Sequence, residues 1–208
     1  MRIRYKPWAR KELEESKFYR EHPEELIGKW KNEYARPEQP LFVELGCGKG
    51  GFISEKASLH PENNYLAIDL VDPMLGLAKR KVEEAYSEAD REIDNIILTR
   101  FDIERILLIL NKQDLVEGIY INFCNPWPRG KHHKKRLTYT RQLEHYKQFL
   151  KPGGKIYFKT DDDNLFEESI HYFEDTEFKI EKITRDLQNE PDFWENIETE
   201  HEKMFSEQ

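Results

Sequence analysis

The chain has 208 residues, of which 38% are hydrophobic and 36% charged, and a formal net charge of −8. That length suits one domain with a real core, and no apolar run reaches the ~18 residues of a membrane span; the expectation is one domain over 1–208, with 1–40 a basic amino-terminal extension and no membrane contact. Residues 1–10 lack the apolar core of a secretory signal, and two cysteines, Cys47 and Cys124, make no disulfide framework, which points to a reducing cytoplasm.

In chain order, residues 1–11 hold Arg2, Arg4, Lys6, Arg10 and Lys11 without an acid, and read evenly as a solvated arm or as part of a polyanion-binding face. A helix is expected over residues 10–21, ended by Pro23. The apolar run 41–43 reads as a buried strand. It leads through Glu44 into Gly46, Gly48, Gly50 and Gly51, after which a helix is expected over 52–59. Strand, glycine-rich turn and helix make a nucleotide-binding geometry, because glycine lets the backbone turn tightly and lets a ligand approach it.

Gly46, Gly48 and Gly51 fit G-x-G-x-x-G, which admits a nicotinamide or flavin site. Glu44 shifts the balance, since a carboxylate beside the loop repels a pyrophosphate and attracts a cation. S-adenosylmethionine, with a sulfonium and an ammonium, meets that requirement.

The remaining pattern alternates strand and helix. Strands are expected at 65–68, 96–101, 118–123 and 155–159, with helices at 52–59, 74–89, 103–110, 140–150 and 165–174, a sharp turn at 151–154 and an edge strand at 178–184. Such alternation builds right-handed crossovers and a mostly parallel α/β sheet with helices on both faces. Ligands of open parallel sheets lie at the carboxyl ends of the strands, and there the chain carries Glu44, Asp69, Asp102, Asn125 and Asp161. Asp and Asn also cap helices and favour turns, but five in register exceed what capping requires. Asp69 is placed to accept from ribose hydroxyls, Asp102 from an adenine amino group, and Glu44 faces a cationic amino-acid end.

The basic cluster Arg129, Lys131, Lys134, Lys135 and Arg136, with His132 and His133, follows the fourth of these strands, and the chain beyond Asp161 is strongly acidic. A basic face on an acidic body suits a polyanion. Trp127 reads evenly as a base-stacking platform or as packing for its neighbouring prolines. The two histidines, without nearby acids or cysteines, suit phosphate or solvent better than metal, and no metal site is expected.

Val43-Glu44-Leu45-Gly46-Cys47-Gly48-Lys49-Gly50 resembles motif I of class I S-adenosylmethionine-dependent methyltransferases. Asn122-Phe123-Cys124-Asn125-Pro126-Trp127-Pro128 with Lys134-Lys135-Arg136-Leu137 resembles the signature of bacterial tRNA (guanine-N7)-methyltransferases. So do Phe158-Lys159-Thr160-Asp161, Thr199-Glu200-His201-Glu202-Lys203-Met204-Phe205 and the amino-terminal Met1-Arg2-Ile3-Arg4 and Lys6-Pro7-Trp8. The resemblance spans nearly the whole chain and implies a Rossmann-like class I methyltransferase fold. It implies methyl transfer from S-adenosylmethionine, leaving S-adenosylhomocysteine, to N7 of a guanosine in the tRNA variable loop. It carries cofactor contact onto Glu44, Gly46, Asp69, Asp102 and Asn125, and contact with the substrate guanosine region onto Arg129, Asp161, Thr199 and Glu202.

This chain has Asn125 where the family commonly has Asp, and it ends at Gln208 where the family continues into a short strand-like segment. Guanine N7 is an unprotonated acceptor, so Asn125 is expected to position rather than to act as a base. The implied partner is tRNA, with no obligatory protein partner, as a monomer or homodimer. A nicotinamide-dependent dehydrogenase would leave Glu44 and the basic cluster unused, and a non-enzymatic RNA-binding protein would leave the strand-end acids unused.

Overall fold

The computed structural model describes residues 5–190. Its strands are β1 (Tyr19–Arg20), β2 (Leu41–Leu45), β3 (Asn64–Asp69), β4 (Ile96–Arg100), β5 (Val116–Asn122) and β6 (Leu150–Lys159). Its helices are α1 (Pro7–Glu14), α2 (Gly51–Leu59), α3 (Asp72–Glu88), α4 (Thr140–Lys147) and α5 (Asp163–Asp175). The strands form one sheet in the order β1-β4-β3-β2-β5-β6, and every ladder is parallel.

Strands covered on both faces read as near-continuous apolar runs, and β2 and β3 do. Val43, Leu45, Leu66, Ile119 and Ile121 face Leu143, Tyr146 and Tyr172 of α4 and α5. Tyr65 and Ala67 face Ile53 and Ala57 of α2 and Leu75, Ala78 and Val82 of α3. From β2 the chain moves to β3 and β4 on one side, then returns to place β5 and β6 on the other. The strand order therefore reverses between β2 and β5, and ligands of such sheets bind at that crevice.

Residues 7–34 belong to the packed body, so Pro7–Lys11 of the basic segment 1–11 lie in a packed helix. The helix expected at 10–21 is only partly formed: α1 starts earlier, with Pro7 in its first turn, where a missing N–H costs nothing, and it ends at Glu14, well before Pro23, with Tyr19–Arg20 in a strand. Ala9 and Leu13 are fully buried, and Ala9 lies so close to α3 that a Cβ on Gly76 would come within 2.6 Å of its own Cβ. The Arg80 guanidinium stacks over Trp8 at 3.7 Å. The two-residue β1 closes the sheet beside β4 and is too short to leave an alternation in sequence. Further on, Trp30 donates from Nε1 to the Ile109 carbonyl at 2.7 Å. The Asp114 carboxylate accepts from the N–H groups of Gly28, Trp30 and Asn111 at 3.0, 3.3 and 2.9 Å.

The turn expected at 151–154 sits inside β6. Pairing jumps from Val116↔Leu150 to Gly118↔Lys155, so those residues loop out as a bulge, with Gly153 at φ +79°. The helix expected at 103–110 is a 3-10 segment, Ile103–Leu108. The edge strand expected at 178–184 is irregular instead. Among the described residues no strand lies beyond β6 for that segment to join, and Ile180 and Ile183 stay exposed. Met1-Arg2-Ile3-Arg4 and residues 191–208, on which the question of a final strand falls, lie outside the described residues. Within those residues no helix is long and apolar enough to cross a membrane.

Candidate active site

The glycine loop joins β2 to α2 at the reversal point. Gly50 has φ +78°, and a Cβ there would meet the Ala78 Cβ at 2.6 Å and its Cα at 2.8 Å; the position demands glycine on both counts. Gly48 also has a left-handed φ of +55°, yet nothing lies within 4 Å of where its Cβ would be. That side of the loop is open. Gly46 and Cys47 donate their N–H groups to the Ile68 carbonyl at 2.9 and 3.0 Å, which fastens the loop to β3.

Asp69 ends β3 and reaches the same loop. Its Oδ2 accepts from Gly48 N–H at 2.9 Å and its Oδ1 from Val71 N–H at 3.0 Å, so the sequence-expected ribose acceptor also braces the turn. Burial raises its pKa from the usual carboxylate value.

Glu44, in β2, is 2% exposed. Its Oε1 accepts from Asn122 Nδ2, across the reversal point, at 2.9 Å. Its Oε2 is buried and has no hydrogen-bond partner among the described residues. Burial pushes the Glu44 carboxyl up to about 7, and the charge of Asp69 adds to the rise, while the Asn122 hydrogen bond and the charge of Lys159 oppose it. A buried carboxylate oxygen left without a donor is costly unless something supplies one.

Sequence reasoning did not assign roles to Asn122 and Lys159. They are register partners at the ends of β5 and β6, and both continue the alternation of the Tyr120 and Tyr157 positions onto the α2 face. Lys159 is 8% exposed, with Nζ 5.9 Å from the Phe52 ring centre. That polar continuation of an otherwise aromatic stripe was the signal available.

Asp102 accepts from Glu104 N–H at 3.0 Å as the cap of its 3-10 segment. The Asn125 side chain is exposed, and its Oδ1 accepts from Trp127 N–H at 3.0 Å. Phe123 and Trp127 on either side have φ of +47° and +44°, a strain of roughly 1–3 kcal/mol each that sites tend to store. Arg129 and Asp161 are exposed beyond the ends of β5 and β6; Thr199 and Glu202 lie outside the described residues.

The basic cluster divides in two. Arg129, Lys131, Lys134 and Lys135 are exposed, with Lys135 Nζ 5.0 Å from the Trp127 ring centre and His132 packed edge-on against the same ring at 5.8 Å. Arg136 is fully buried. It donates from Nε to the Pro126 carbonyl at 2.8 Å and from a terminal nitrogen to Asn164 Oδ1 at 2.7 Å. It is therefore a brace between the proline-tryptophan-proline loop and α5, and not the phosphate contact its neighbours in sequence suggested. His133 is half-buried with its Nε2 enclosed and unpaired, which also removes it from the solvent-facing set. Burial pushes the Cys124 thiol up to about 12 and raises that of Cys47, so both are protonated packing residues. Among the described residues no group of three or more His, Cys, Asp or Glu could hold a metal.

A parallel sheet with this strand order, a glycine loop after its central strand and a buried carboxylate beside that loop make the class I methyltransferase fold. A solved structure titled as an antibiotic-related methyltransferase shares that fold, with a TM-score of 0.52 at 16% identity over 70% of this chain and 71% of the other. Residues 38–208 match the family model described as "Putative methyltransferase". The tRNA (guanine-N(7)-)-methyltransferase of Clostridium beijerinckii is 56% identical over 208 residues, covering 100% of this chain and 94% of that one. Those of Clostridium perfringens strain SM101 and Clostridium botulinum strain Eklund 17B are 52% and 54% identical over the same span. The chain belongs to the tRNA (guanine-N7)-methyltransferase family.

Proposed function

We propose that this chain binds S-adenosylmethionine at the reversal point and methylates N7 of a guanosine in the tRNA variable loop. The observation that carries the reading is the unpartnered Glu44 Oε2, enclosed beside the glycine loop. A buried carboxylate oxygen facing a ligand space suits an ammonium donor. The start of α2, which has no acid in its first turn, suits the carboxylate of the same amino-acid end. The open side of Gly48 leaves room for the backbone of the loop to meet the ligand, and Asp69 and Asp102 are the acceptors for ribose and adenine.

When bound, the sulfonium supplies an electrophilic methyl group. N7 of guanine is a lone-pair acceptor without a proton, so the protein need not remove one. Its residues position. Asp161 and Glu202 accept from the Watson–Crick edge of the guanine, Thr199 supports them, and Asn125 orients the methyl-bearing end or the base through hydrogen bonds. Arg129, Lys131, Lys134 and Lys135 face tRNA phosphates, with Trp127 as a stacking surface. The setting is the cytoplasm, as a monomer or homodimer without an obligatory protein partner.

Unmodified tRNA incubated with the protein and methyl-labelled S-adenosylmethionine tests this directly. Nucleoside analysis is expected to place the label in 7-methylguanosine. Label in another nucleoside, or none with protein that binds S-adenosylhomocysteine, would overturn the assignment.

A further inference from the structure

We propose that Asn122 and Lys159 are positioning residues that hold Glu44 ionised and aimed, so that the site's affinity for its ligand's ammonium is set by a three-strand network across β2, β5 and β6. The inference rests on the reading of Glu44 as the ammonium acceptor and goes beyond it.

Three observations carry it. The Asn122 Nδ2 to Glu44 Oε1 hydrogen bond of 2.9 Å joins the two strands between which the sheet order reverses. It fixes one carboxylate oxygen and leaves the other, Oε2, buried without a partner. Lys159 sits opposite Asn122 in the next ladder and is nearly buried, so its charge is poorly screened by water.

A carboxylate taken out of water tends to hold its proton, and a protonated Glu44 has no charge with which to attract an ammonium. The charged or titratable groups facing Glu44 are Asp69 from the end of β3, the Cys47 thiol in the loop and Lys159 from β6. Asp69 opposes ionisation. Lys159 favours it, and so does the neutral Asn122, by donating to the charged form. Without the last two the carboxyl would remain protonated to higher pH. They therefore act through Glu44 and need not touch the reacting atoms.

The test is calorimetric titration with S-adenosylhomocysteine between about pH 6 and 9 on wild type and on Asn122→Leu, Lys159→Gln, Lys159→Arg and Glu44→Gln. Its thioether is neutral, and its own ammonium titrates identically in every comparison. Wild-type affinity should rise with pH through about 7, where Glu44 ionises. Asn122→Leu and Lys159→Gln should move that midpoint upward by about one unit. Affinity should then fall about fivefold near neutrality and converge on wild type toward pH ~9. Lys159→Arg should keep the wild-type midpoint, and this charge-preserving variant guards against a misfolded Asn122→Leu. Glu44→Gln should bind weakly with the Glu44 step gone. If Glu44→Gln is weakened while the Asn122 and Lys159 variants keep the wild-type midpoint, the positioning role is wrong. If Glu44→Gln itself binds as wild type does, the ammonium-acceptor reading falls, and the network with it.

Discussion

Glu44 should make the ligand-free protein less stable as pH rises, and replacing it should remove that dependence. Burial moves its carboxyl from 4.5 to about 7 in the folded state. Between those values the folded protein holds a proton that the unfolded chain has released. Stability therefore falls with rising pH across that window, with the cost absent below the unfolded value and complete above the folded one. A displacement of two to three units corresponds to about 3 kcal/mol, large beside the ~5–15 kcal/mol of a typical domain. Glu44→Gln keeps the shape and can still accept from Asn122, but carries no charge. Urea unfolding of both proteins without ligand should give nearly equal stabilities at pH ~4.5 and a variant more stable by about 3 kcal/mol at pH ~8. Saturating S-adenosylhomocysteine should stabilise wild type more than the variant, because only the ionised carboxylate gains an ammonium partner. A stability difference that does not change with pH, or one in which wild type gains as pH rises, would refute the claim that Glu44 is buried and costly.

Arg136→Ala should lower stability by about 3–5 kcal/mol, from two lost charge-assisted hydrogen bonds inside the protein, whereas Lys134→Ala with Lys135→Ala should leave urea midpoints unchanged and flatten the salt dependence of tRNA binding; the opposite division would restore the sequence-based grouping. Gly50→Ala should cost about 2 kcal/mol or more, from a strained φ and a clash with the α3 backbone, measured in the same unfolding experiment, and a loss under ~0.5 kcal/mol would contradict the loop geometry. Asn125→Ala should slow single-turnover methylation by ~10–1000-fold while Asn125→Asp stays within roughly tenfold of wild type; a wild type that is inactive until Asp is installed would mean that position 125 needs a base. Asp161→Ala should lose most turnover with S-adenosylhomocysteine affinity intact, checked by calorimetry beside nucleoside analysis.

The parallel sheet was legible because β2 and β3 are short apolar runs that end in acids and glycines, features that depend on neighbours in sequence. The nearness of Glu44 and Asp69 to the glycine loop was legible for the same reason, since a carboxylate beside such a loop is a local pattern. The Asn122 hydrogen bond to Glu44 and the place of Lys159 opposite Asn122 escaped because they depend on which strands lie side by side, and nothing local says that β5 lies next to β2. Arg136 was misread by company: in a run of lysines a buried guanidinium looks like its exposed neighbours, and only the Pro126 carbonyl and Asn164 reveal its place. The segment at 178–184 has the alternation of an edge strand, but alternation alone supplies no ladder.

The bond between Asn122 and Glu44 spans 78 positions of chain, and that separation bears on assembly. In synthesis the β2–β3–β4 half emerges first and can collapse around Leu66, Ala67 and Ile68 with its loop already shaped. Its central strand then keeps one edge bare until β5 arrives, and strand pairing over such distances is intrinsically slow. A nascent chain halted before Val116 would expose that edge, with the hazards of an unpaired strand, and its Glu44 would be open to water. The reversal point is in this sense a seam between two halves made at different times, and a molecule bound there would report that the seam has closed.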